Sequence, residues 1–517
     1  MSAPPSNLEF EPTPIGSRLP ADPERLAAAR AIRLDPELRP AFLGQGAAQS
    51  NLERLFDGAL CITTGQQPGL FTGPLFTIHK ALTTVALARD ATLRLGQPVV
   101  PVFWVAGDDH DFAEANHAYV LSASNQVEQL VLREREGSAA LTPLYREPVG
   151  DDIERLLGLL RSLLPETEFR PGVLAWLERH YRPDTDLASA FAHAVSDLLG
   201  PLGLVVFQPT HPAAKRAMAP WLVRLLEAAA PLNHALVATA DELERAGRPA
   251  PVTVGDGATM VMIEGPLGRD RLLLDQGVFA SRRAGERWTR EALTRVADDE
   301  AGRLSPNVLA RPAIEAALLP TIAYVAGPAE LAYLPQAAPV YRTLGVPAQA
   351  AAPRWSGRVV EARVRKVLDK FGIGPDALNQ PEGRLEASLL AEELPTGARD
   401  AIAALRKALA TEYQRLAEAA VTVDPTLRKP IDSARNAAQG TVAEIEKRLV
   451  THLKKQNDIL LQQLDKARRS LFPLGRPQER VFNVITYAVR YGPAFLEAAL
   501  AACAPDAATL ESLWGSV

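Results

Sequence analysis

The chain has 517 residues and 47% hydrophobic content, so it can bury a large core, and its length suggests about two to four structural units. Its 56 basic and 61 acidic residues give a net charge of -5, which gives no reason to expect nucleic acid as a partner. Two cysteines exclude a disulfide framework. Neither a secretory leader nor an apolar run of the ~18 residues that span a bilayer is visible, so we expect a cytoplasmic protein with no membrane partner.

The first informative stretch runs from Thr64 to Lys80 and is rich in glycine. It follows a short apolar run at 59–63 that predicts a strand buried on both faces, and a helix is predicted to start at Pro74. Glycine permits close backbone approach and the free N–H groups of a helix start favour an anion, so a phosphate or carboxylate fits here. The alternative is that the glycines only form the turns of a connection. The candidate ligand-binding residues are Gly65, Gln66, Gln67, Gly69, Gly73, Thr77 and Lys80.

The second stretch, from Val102 to His117, follows another predicted strand at 98–106 and contains four acids within seven residues. Like charges this close destabilise one another unless a cation, a proton or a cationic substrate relieves them. A substrate amine or Mg²⁺ would do so. The alternative is an acidic helix start, in which aspartates cap free N–H groups. The four acids are Asp108, Asp109, Asp111 and Glu114.

Two histidines are candidates for proton transfer. His110, between two aspartates, suits a general base whose tautomer a carboxylate fixes. His79 lies beside the apolar stripe of the predicted helix, where a buried structural histidine is an equal alternative to a catalytic one, whereas Lys80 points away from that stripe. No metal site is predicted, because the seven-residue spacing of His110 and His117 is not a recognised ligand pattern. The catalytic candidates are His79, Asp109, His110 and Asp111, and further ligand-binding candidates are Trp104, Glu114 and Asn116.

Several blocks are recognisable as a set. The first two are Thr-Gly-Gln-Gln-x-Gly-Leu-x-x-Gly-Pro-Leu at 64–75 and Phe-Trp-x-Ala-Gly-x-Asp-His-Asp at 103–111. Later blocks at 304–311, 319–333 and 471–493 occur in the same order. Together they resemble the bacillithiol synthase family, the cysteine ligases of bacillithiol biosynthesis, with one departure: Asp108 stands where we expect Glu in that family.

The resemblance implies an α/β fold with a Rossmann-like parallel sheet core, two inserted connecting segments and a long α-helical coiled-coil arm used for homodimerisation. It implies that the enzyme joins cysteine, through its carboxyl, to the amine of glucosaminyl-malate. Within the third block it adds Asn307, Arg311, Tyr324 and Glu330 as ligand-binding candidates. Arg311 would hold the malate carboxylates or a phosphate, although an internal ion pair is the commoner fate of such an arginine.

Amide formation requires an activated carboxyl, because a free carboxylate is a poor acyl donor. This need favours ATP with Mg²⁺, yet the sequence identifies no cofactor: it has neither a phosphate-binding Gly-x-x-x-x-Gly-Lys-Ser/Thr loop nor a Lys-Met-Ser-Lys-Ser-like signature. Two alternatives to the cysteine ligase stay open. One is a nucleotidyltransferase or adenylate-forming ligase for a different amine and acid, and the other is a noncatalytic coiled-coil assembly protein.

The predicted organisation alternates core and insertion. Residues 1–58 are expected to form a helical lead-in, and after about residue 356 the composition changes to that of long helices. A hydrophobic period near ~3.67 residues predicts a long helix from about Thr426 to Leu471, with an antiparallel partner and a turn near 422–430. Periodicity does not separate an internal hairpin from a dimer arm, and the family favours the dimer. The expected domains are core at 1–120, first insertion at 121–198, core at 199–244, second insertion at 245–318, core at 319–380, coiled-coil arm at 381–472 and a C-terminal helical segment at 473–517.

Overall fold

The computed structural model describes residues 8–137, 139–381, 383–392, 396–456 and 458–504. The chain divides into two units, one comprising residues 1–359 with 476–517 and the other residues 360–475. The strands are β1 (Leu8–Pro12), β2 (Phe42–Leu43), β3 (Leu60–Gln66), β4 (Val99–Val105), β5 (His117–Leu121), β6 (Val127–Val131), β7 (Val205–Phe207), β8 (Ala258–Gly265), β9 (Gly268–Asp275), β10 (Val278–Ser281), β11 (Arg287–Trp288), β12 (Leu304–Pro306), β13 (Thr321–Ala326), β14 (Ala350–Pro353) and β15 (Gly357–Glu361).

Helices surround these strands, and among the described residues none is long and apolar enough to cross a membrane. The helices of the first unit are α1 (Arg25–Ala31), α2 (Ala47–Phe56), α3 (Leu75–Leu95), α4 (Phe112–Ala115), α5 (Asp152–Leu163), α6 (Arg170–His180), α7 (Leu187–Leu199), α8 (Pro212–Glu227), α9 (Ala229–Arg245), α10 (Arg290–Asp299), α11 (Arg311–Leu318), α12 (Pro328–Tyr333), α13 (Ala338–Leu344), α19 (Ile485–Tyr491) and α20 (Pro493–Ala502). Those of the second unit are α14 (Ala362–Phe371), α15 (Arg384–Glu392), α16 (Thr396–Val423), α17 (Arg428–Gln456) and α18 (Asp458–Leu471).

A six-stranded sheet with the order β14-β13-β3-β4-β7-β2 forms the core of the first unit. Five strands are parallel, and only the short β2 joins antiparallel, at the outer edge of β7. The apolar runs that predicted β3, β4, β7, β13 and β14 are confirmed, because strands covered by helices on both faces are apolar throughout. The helical lead-in expected at 1–58 contains α1 and α2, but also two strands: β2 pairs with β7, and the Phe42 ring centroid lies 4.7 Å from that of Phe207.

The order of the strands reverses next to β3. From β3 the chain proceeds to β4 and β7 on one side, and it then returns to β13 and β14 on the other. Helix α3 follows β3 and packs against both β3 and β4, so that almost all of its first four turns are buried. In open parallel sheets a ligand binds beside such a reversal, at the carboxyl ends of the strands.

The two segments expected to be insertions have different architectures. Residues 121–198 carry β6, which pairs with β5, and then helices α5, α6 and α7. Residues 245–318 carry an antiparallel sheet with the order β11-β10-β9-β8-β12, in which β8 and β9 form the main hairpin. A further two-stranded sheet pairs β1 with β15.

The second unit contains a long helical hairpin. Helices α16 and α17 pack along each other, with an ion pair between Arg406 and Glu446, and residues 424–427 form the predicted turn between them. The helix predicted from Thr426 to Leu471 corresponds to α17 and α18, and residue 457 between them lies outside the described residues. Of the C-terminal helical segment, residues 505–517 also lie outside.

Candidate active site

A cavity of about 360 Å³ opens at the carboxyl ends of the core strands, beside the reversal in strand order. Each of the four strands around that point supplies residues to its wall, either from its last position or from the residues that follow it. They are Gln66 and Gln67 after β3, Asp108 and Asp109 after β4, Gly327 and Glu330 after β13, and Arg354 after β14. The cavity therefore lies where this class of sheet binds its ligands.

Most of the expected ligand-binding residues meet in this cavity, and some do not. The expected residues that line it are Gly65, Gln66, Gln67, Lys80, Trp104, Asp109, Glu114, Asn307, Arg311 and Glu330. Tyr324 lies one hydrogen bond away, since its hydroxyl donates to Glu330. The expected residues outside the lining are Gly69, Gly73, Thr77, His79, His110, Asp111 and Asn116.

An ion pair joins the two sides of the strand reversal. Lys80, on α3, is 2% exposed, and its Nζ donates to Glu330 Oε2 at 2.6 Å, to the Gly65 carbonyl at 2.5 Å and to Gln66 Oε1 at 3.3 Å. Burial lowers the pKa of Lys80, although Glu330 opposes this. Burial would raise the pKa of Glu330, but the charges of Lys80 and Arg311 outweigh it and lower that pKa. Lys80 thus lines the cavity and forms its ion pair with Glu330 there.

Of three carboxylates in the acidic stretch that line the cavity, one is ion-paired and two have no ion-pair partner among the described residues. Asp108 forms an ion pair of 2.5 Å with the buried Lys215. Asp109 and Glu114, by contrast, have no ion-pair partner among the residues that the structure describes; Asp109 accepts backbone N–H groups, and Glu114 accepts the Gln67 amide at 3.2 Å. Burial and the neighbouring aspartates raise the pKa of Glu114. A bound ammonium group would stabilise this pair of carboxylates.

Part of the acidic stretch is the helix start that formed the alternative interpretation. The exposed Asp111 accepts the N–H of Glu114 at 3.0 Å and so caps α4. His110 is half-buried and lies outside the lining; burial lowers its pKa, and the charge of Arg269 adds to the effect. Asn116 donates its amide to the Arg133 carbonyl at 2.6 Å. The cap and this hydrogen bond account for Asp111 and Asn116 without a ligand.

His79 is a structural residue, which corrects its expected catalytic role. Its ring is fully buried, stands edge-on to Trp355 with ring centroids 4.7 Å apart, and places Nδ1 at 3.0 Å from Glu479 Oε2. Burial lowers its pKa, although the bond to Glu479 opposes this. The sequence could not show this, because Glu479 is 400 residues away along the chain.

The second half of the glycine-rich stretch forms a tight turn. Phe71 and Thr72 have positive φ values of 54° and 77°, which cost non-glycine residues about 1–3 kcal/mol each. The turn is held in place by Asn483, whose amide donates to the carbonyls of Phe71 and Gly73 at 2.7 Å. A Cβ on Gly69 would lie 2.9 Å from Gly73 Cα. These two glycines therefore serve close packing.

Two backbone donors at the start of α3 are already used inside the protein. The N–H of Leu75 donates to the Phe482 carbonyl at 2.7 Å, and that of Thr77 donates to the Pro74 carbonyl at 2.9 Å. The anion expected at this helix start stays a prediction. Positive charge also reaches the cavity through arginine side chains.

Four arginines line the cavity: Arg269, Arg311, Arg354 and Arg480. Arg311 was expected either to bind a ligand or to form an internal ion pair. Its Nη1 pairs with the buried Glu315 at 2.8 Å, whereas its Nη2 has no partner among the described residues and is available to a ligand. Arg269 and Arg480 form no ion pair within the described part of the chain, and Arg269 instead donates to Ser305 Oγ at 3.0 Å and to the Pro306 carbonyl at 2.7 Å.

Sequence reasoning singled out only one of these arginines. Arg354 comes shortly after a predicted strand, and Arg480 lies in the late block of the family resemblance, so each had a usable signal. Arg269 lies in β9 of the second insertion and had none. The cavity lining thus combines carboxylates with arginines, which together suit a ligand, or a pair of ligands, that carries both an ammonium group and carboxylates.

A doubly wound sheet with a charged cavity at its strand reversal, followed by long paired helices, defines a Rossmann-like ligand-binding protein with a coiled coil. Comparison with family models agrees: residues 39–355 match "Bacillithiol biosynthesis BshC, N-terminal Rossmann-like domain" and residues 358–509 match "Bacillithiol biosynthesis BshC, C-terminal coiled-coil domain". The chain belongs to the bacillithiol biosynthesis BshC family.

Similar proteins extend over most of the chain. A protein of Salinibacter ruber named "Putative cysteine ligase BshC" is 34% identical over 460 residues, which cover 87% of this chain and 82% of that protein. Proteins with the same name from Chlorobaculum tepidum and Geobacillus thermodenitrificans are 32% and 30% identical, over 90% and 88% of this chain and 84% of each relative. The likeness therefore includes both the sheet core and the helical hairpin.

Proposed function

We propose that this protein is a ligase that joins L-cysteine, through its carboxyl, to the amine of glucosaminyl-malate and so forms bacillithiol. The mixed charge of the cavity lining carries the proposal: Asp109 and Glu114 supply carboxylates, and Arg311 supplies a guanidinium group. Glucosaminyl-malate presents an amine at one end and two carboxylates at the other, and this cavity is complementary to that pattern. Family membership and the names of the relatives support the same substrate class.

In this proposal, the carboxylate pair binds the amine and takes up the proton that it loses when the amide forms. Glu114 is the better placed base, because its pKa is raised towards the operating pH and it lines the cavity. His110 stays outside the lining, so we give it the lesser role of supporting Asp109 through the backbone N–H that donates to Asp109 Oδ1 at 2.6 Å. The ion pair between Lys80 and Glu330 links α3 to α12 at the cavity.

Carboxyl activation is assigned to ATP with Mg²⁺, through an adenylate or an acyl phosphate of cysteine. Arg269 and Arg480 line the cavity and have no carboxylate partner in the described part of the chain, so their charges are available to phosphate oxygens. We further propose that the enzyme works in the cytoplasm as a homodimer. Support for the dimer comes from apolar residues exposed on the helical hairpin, namely Leu405, Leu416, Ile445 and Leu449.

The test is to incubate the purified full-length protein with L-cysteine and glucosaminyl-malate, with and without ATP and Mg²⁺, and to detect the amide by mass spectrometry. We expect bacillithiol only when the nucleotide is present, and AMP or ADP in the same samples identifies an adenylate or an acyl phosphate. Glu114→Gln should lower the yield, whereas Glu134→Gln, outside the cavity lining, should not. A folded wild-type protein that forms no amide and does not bind glucosaminyl-malate would refute the proposal.

A further inference from the structure

Arg354 is a buried arginine whose Nε nitrogen has no hydrogen-bond acceptor in the described structure. It follows β14, is 3% exposed, and lines the cavity. Its Nη1 and Nη2 atoms form a fork with the two carboxylate oxygens of Glu479, at 2.8 and 2.7 Å. Its Nε has no acceptor among the described residues. A buried, charged donor without an acceptor is costly, so this atom calls for an explanation.

Glu479 fixes the plane of this guanidinium. Its Oε1 also accepts the hydroxyl of Ser356 at 2.7 Å, and its Oε2 lies 3.0 Å from His79 Nδ1. Glu479 is 4% exposed and is not part of the cavity lining, so it acts on a ligand only through Arg354. Both terminal nitrogens of Arg354 donate within the protein, to Glu479 and, from Nη1, also to the Trp355 carbonyl at 2.8 Å. Nε donates to no described residue, so we take it as the donor for a ligand.

Gly327 and Arg311 line the same cavity as Arg354. Gly327 lies beside the unpaired donor, since a Cβ built on it would lie 4.0 Å from Arg354 Nε, an ordinary contact distance. Arg311 likewise has its Nη1 engaged by a buried glutamate and its Nη2 without an acceptor in the described structure. The cavity lining thus includes two guanidinium groups, each fixed by a glutamate and each with a nitrogen that has no acceptor among the described residues.

We propose that Arg354 and Arg311 form one oxyanion subsite, that this subsite holds a carboxylate of the malate moiety, and that Glu479 is the residue that positions Arg354. The identity of the carboxylate rests on the proposed function. Since both arginines are paired with buried glutamates, the subsite selects its ligand by directed, charge-assisted hydrogen bonds more than by net charge. Lysine has no planar fork and cannot replace either arginine.

The experiment is calorimetric titration of the full-length protein with L-malate, and separately with L-cysteine and inorganic phosphate. We expect wild type to bind L-malate, and Arg354→Lys and Arg311→Lys each to weaken that binding at least about tenfold. Arg133→Lys is the matched control, since Arg133 also pairs with a glutamate, Glu147, but lies outside the lining, and its Kd should be unchanged. Absence of L-malate binding by wild type, or dependence of only cysteine or phosphate binding on these arginines, overturns the subsite.

The positioning role of Glu479 has its own readout. Glu479→Gln should weaken L-malate binding, and adding it to Arg354→Lys should weaken binding little further, because both changes remove the same donor. Additive losses overturn the positioning role. If a variant does not fold, the crystal structure of wild type with L-malate decides: a carboxylate within about 3.2 Å of Arg354 Nε and Arg311 Nη2 supports the subsite, and a carboxylate elsewhere overturns it.

The two proposals can fail independently. A protein that binds L-malate through Arg354 but makes no bacillithiol would refute the ligase and leave the subsite. If the wild-type protein forms bacillithiol but Arg354→Lys binds L-malate with an unchanged Kd, the subsite is refuted and the ligase is retained.

Discussion

Replacing Lys80 by methionine should destabilise the first unit by about 3 kcal/mol. Removing one partner of a buried ion pair costs about 3–5 kcal/mol, because the other charge stays buried without compensation. Here we expect the lower end of that range, since Glu330 keeps the Tyr324 hydroxyl and the Gly327 N–H, at 2.5 and 2.6 Å. The double variant Lys80→Met with Glu330→Gln should recover at least about 1 kcal/mol, since the stranded charge is then absent.

Urea unfolding followed by tryptophan fluorescence measures this effect selectively. All five tryptophans among the described residues belong to the first unit, so their signal reports on the unit that contains Lys80. Arg216→Met is the control: Arg216 is an exposed cation on α8, and its loss should change the free energy of unfolding by less than about 0.5 kcal/mol. If Lys80→Met also changes the free energy of unfolding by less than about 0.5 kcal/mol, the ion pair does not stabilise the first unit.

The same pair predicts a pH dependence with a definite sign. In wild type the pKa of Glu330 is lowered, so its stabilising contribution is present above its unfolded pKa of about 4.3 and is lost as the pH falls further. In Lys80→Met burial dominates and should raise the pKa of Glu330, so that the folded variant binds a proton that the unfolded chain does not. The penalty of the variant should therefore shrink between pH 8 and pH 6. A penalty that grows on acidification would contradict the assignment.

Three further predictions concern the amine site, the glycine turn and the helical arm. Because the pKa of Glu114 is raised, glucosaminyl-malate affinity in calorimetry should fall as the pH drops through that pKa. Glu114→Gln should bind glucosaminyl-malate weakly and without this dependence, and an unchanged pH profile would argue against the amine site. Gly69→Ala should cost about 1–3 kcal/mol in urea unfolding, since its Cβ meets Gly73 Cα at 2.9 Å, and a cost near zero would contradict that packing. Leu416→Asp with Ile445→Asp should shift the mass in light scattering from dimer to monomer, whereas a wild-type monomer would end the dimer proposal.

The core of the fold could be predicted because its signals are local. The parallel strands that surround the cavity are short apolar runs bounded by glycine or proline, and such runs are typical of strands covered on both faces. The turn at 424–427 is similarly local, since Asp424 caps the residues that follow Pro425 and the flanking stretches have helical periodicity. The short β2 lacked such a signal, because two residues form no recognisable strand pattern and are extended here through pairing with β7.

The composition of the candidate site was only partly predictable, because several of its contacts are distant in sequence. Helical spacing predicted that Lys80 points away from the apolar stripe, but it could not reveal the partner Glu330, which is 250 residues away. His79, the preceding residue of the same helix, contacts Trp355 and Glu479, which are also distant along the chain. Arg354 comes shortly after a predicted strand, yet its unused Nε depends on that same distant glutamate.

Isotope transfer from the cysteine carboxyl tests the ligase most directly. Cysteine labelled with ¹⁸O at both carboxyl oxygens is incubated with glucosaminyl-malate, ATP, Mg²⁺ and the full-length protein. The masses of the products are then measured by mass spectrometry. Activation followed by amide formation predicts bacillithiol with one ¹⁸O and AMP or phosphate with the other. Folded protein that gives no labelled bacillithiol, while unlabelled nucleotide products accumulate at the background rate, would contradict the account.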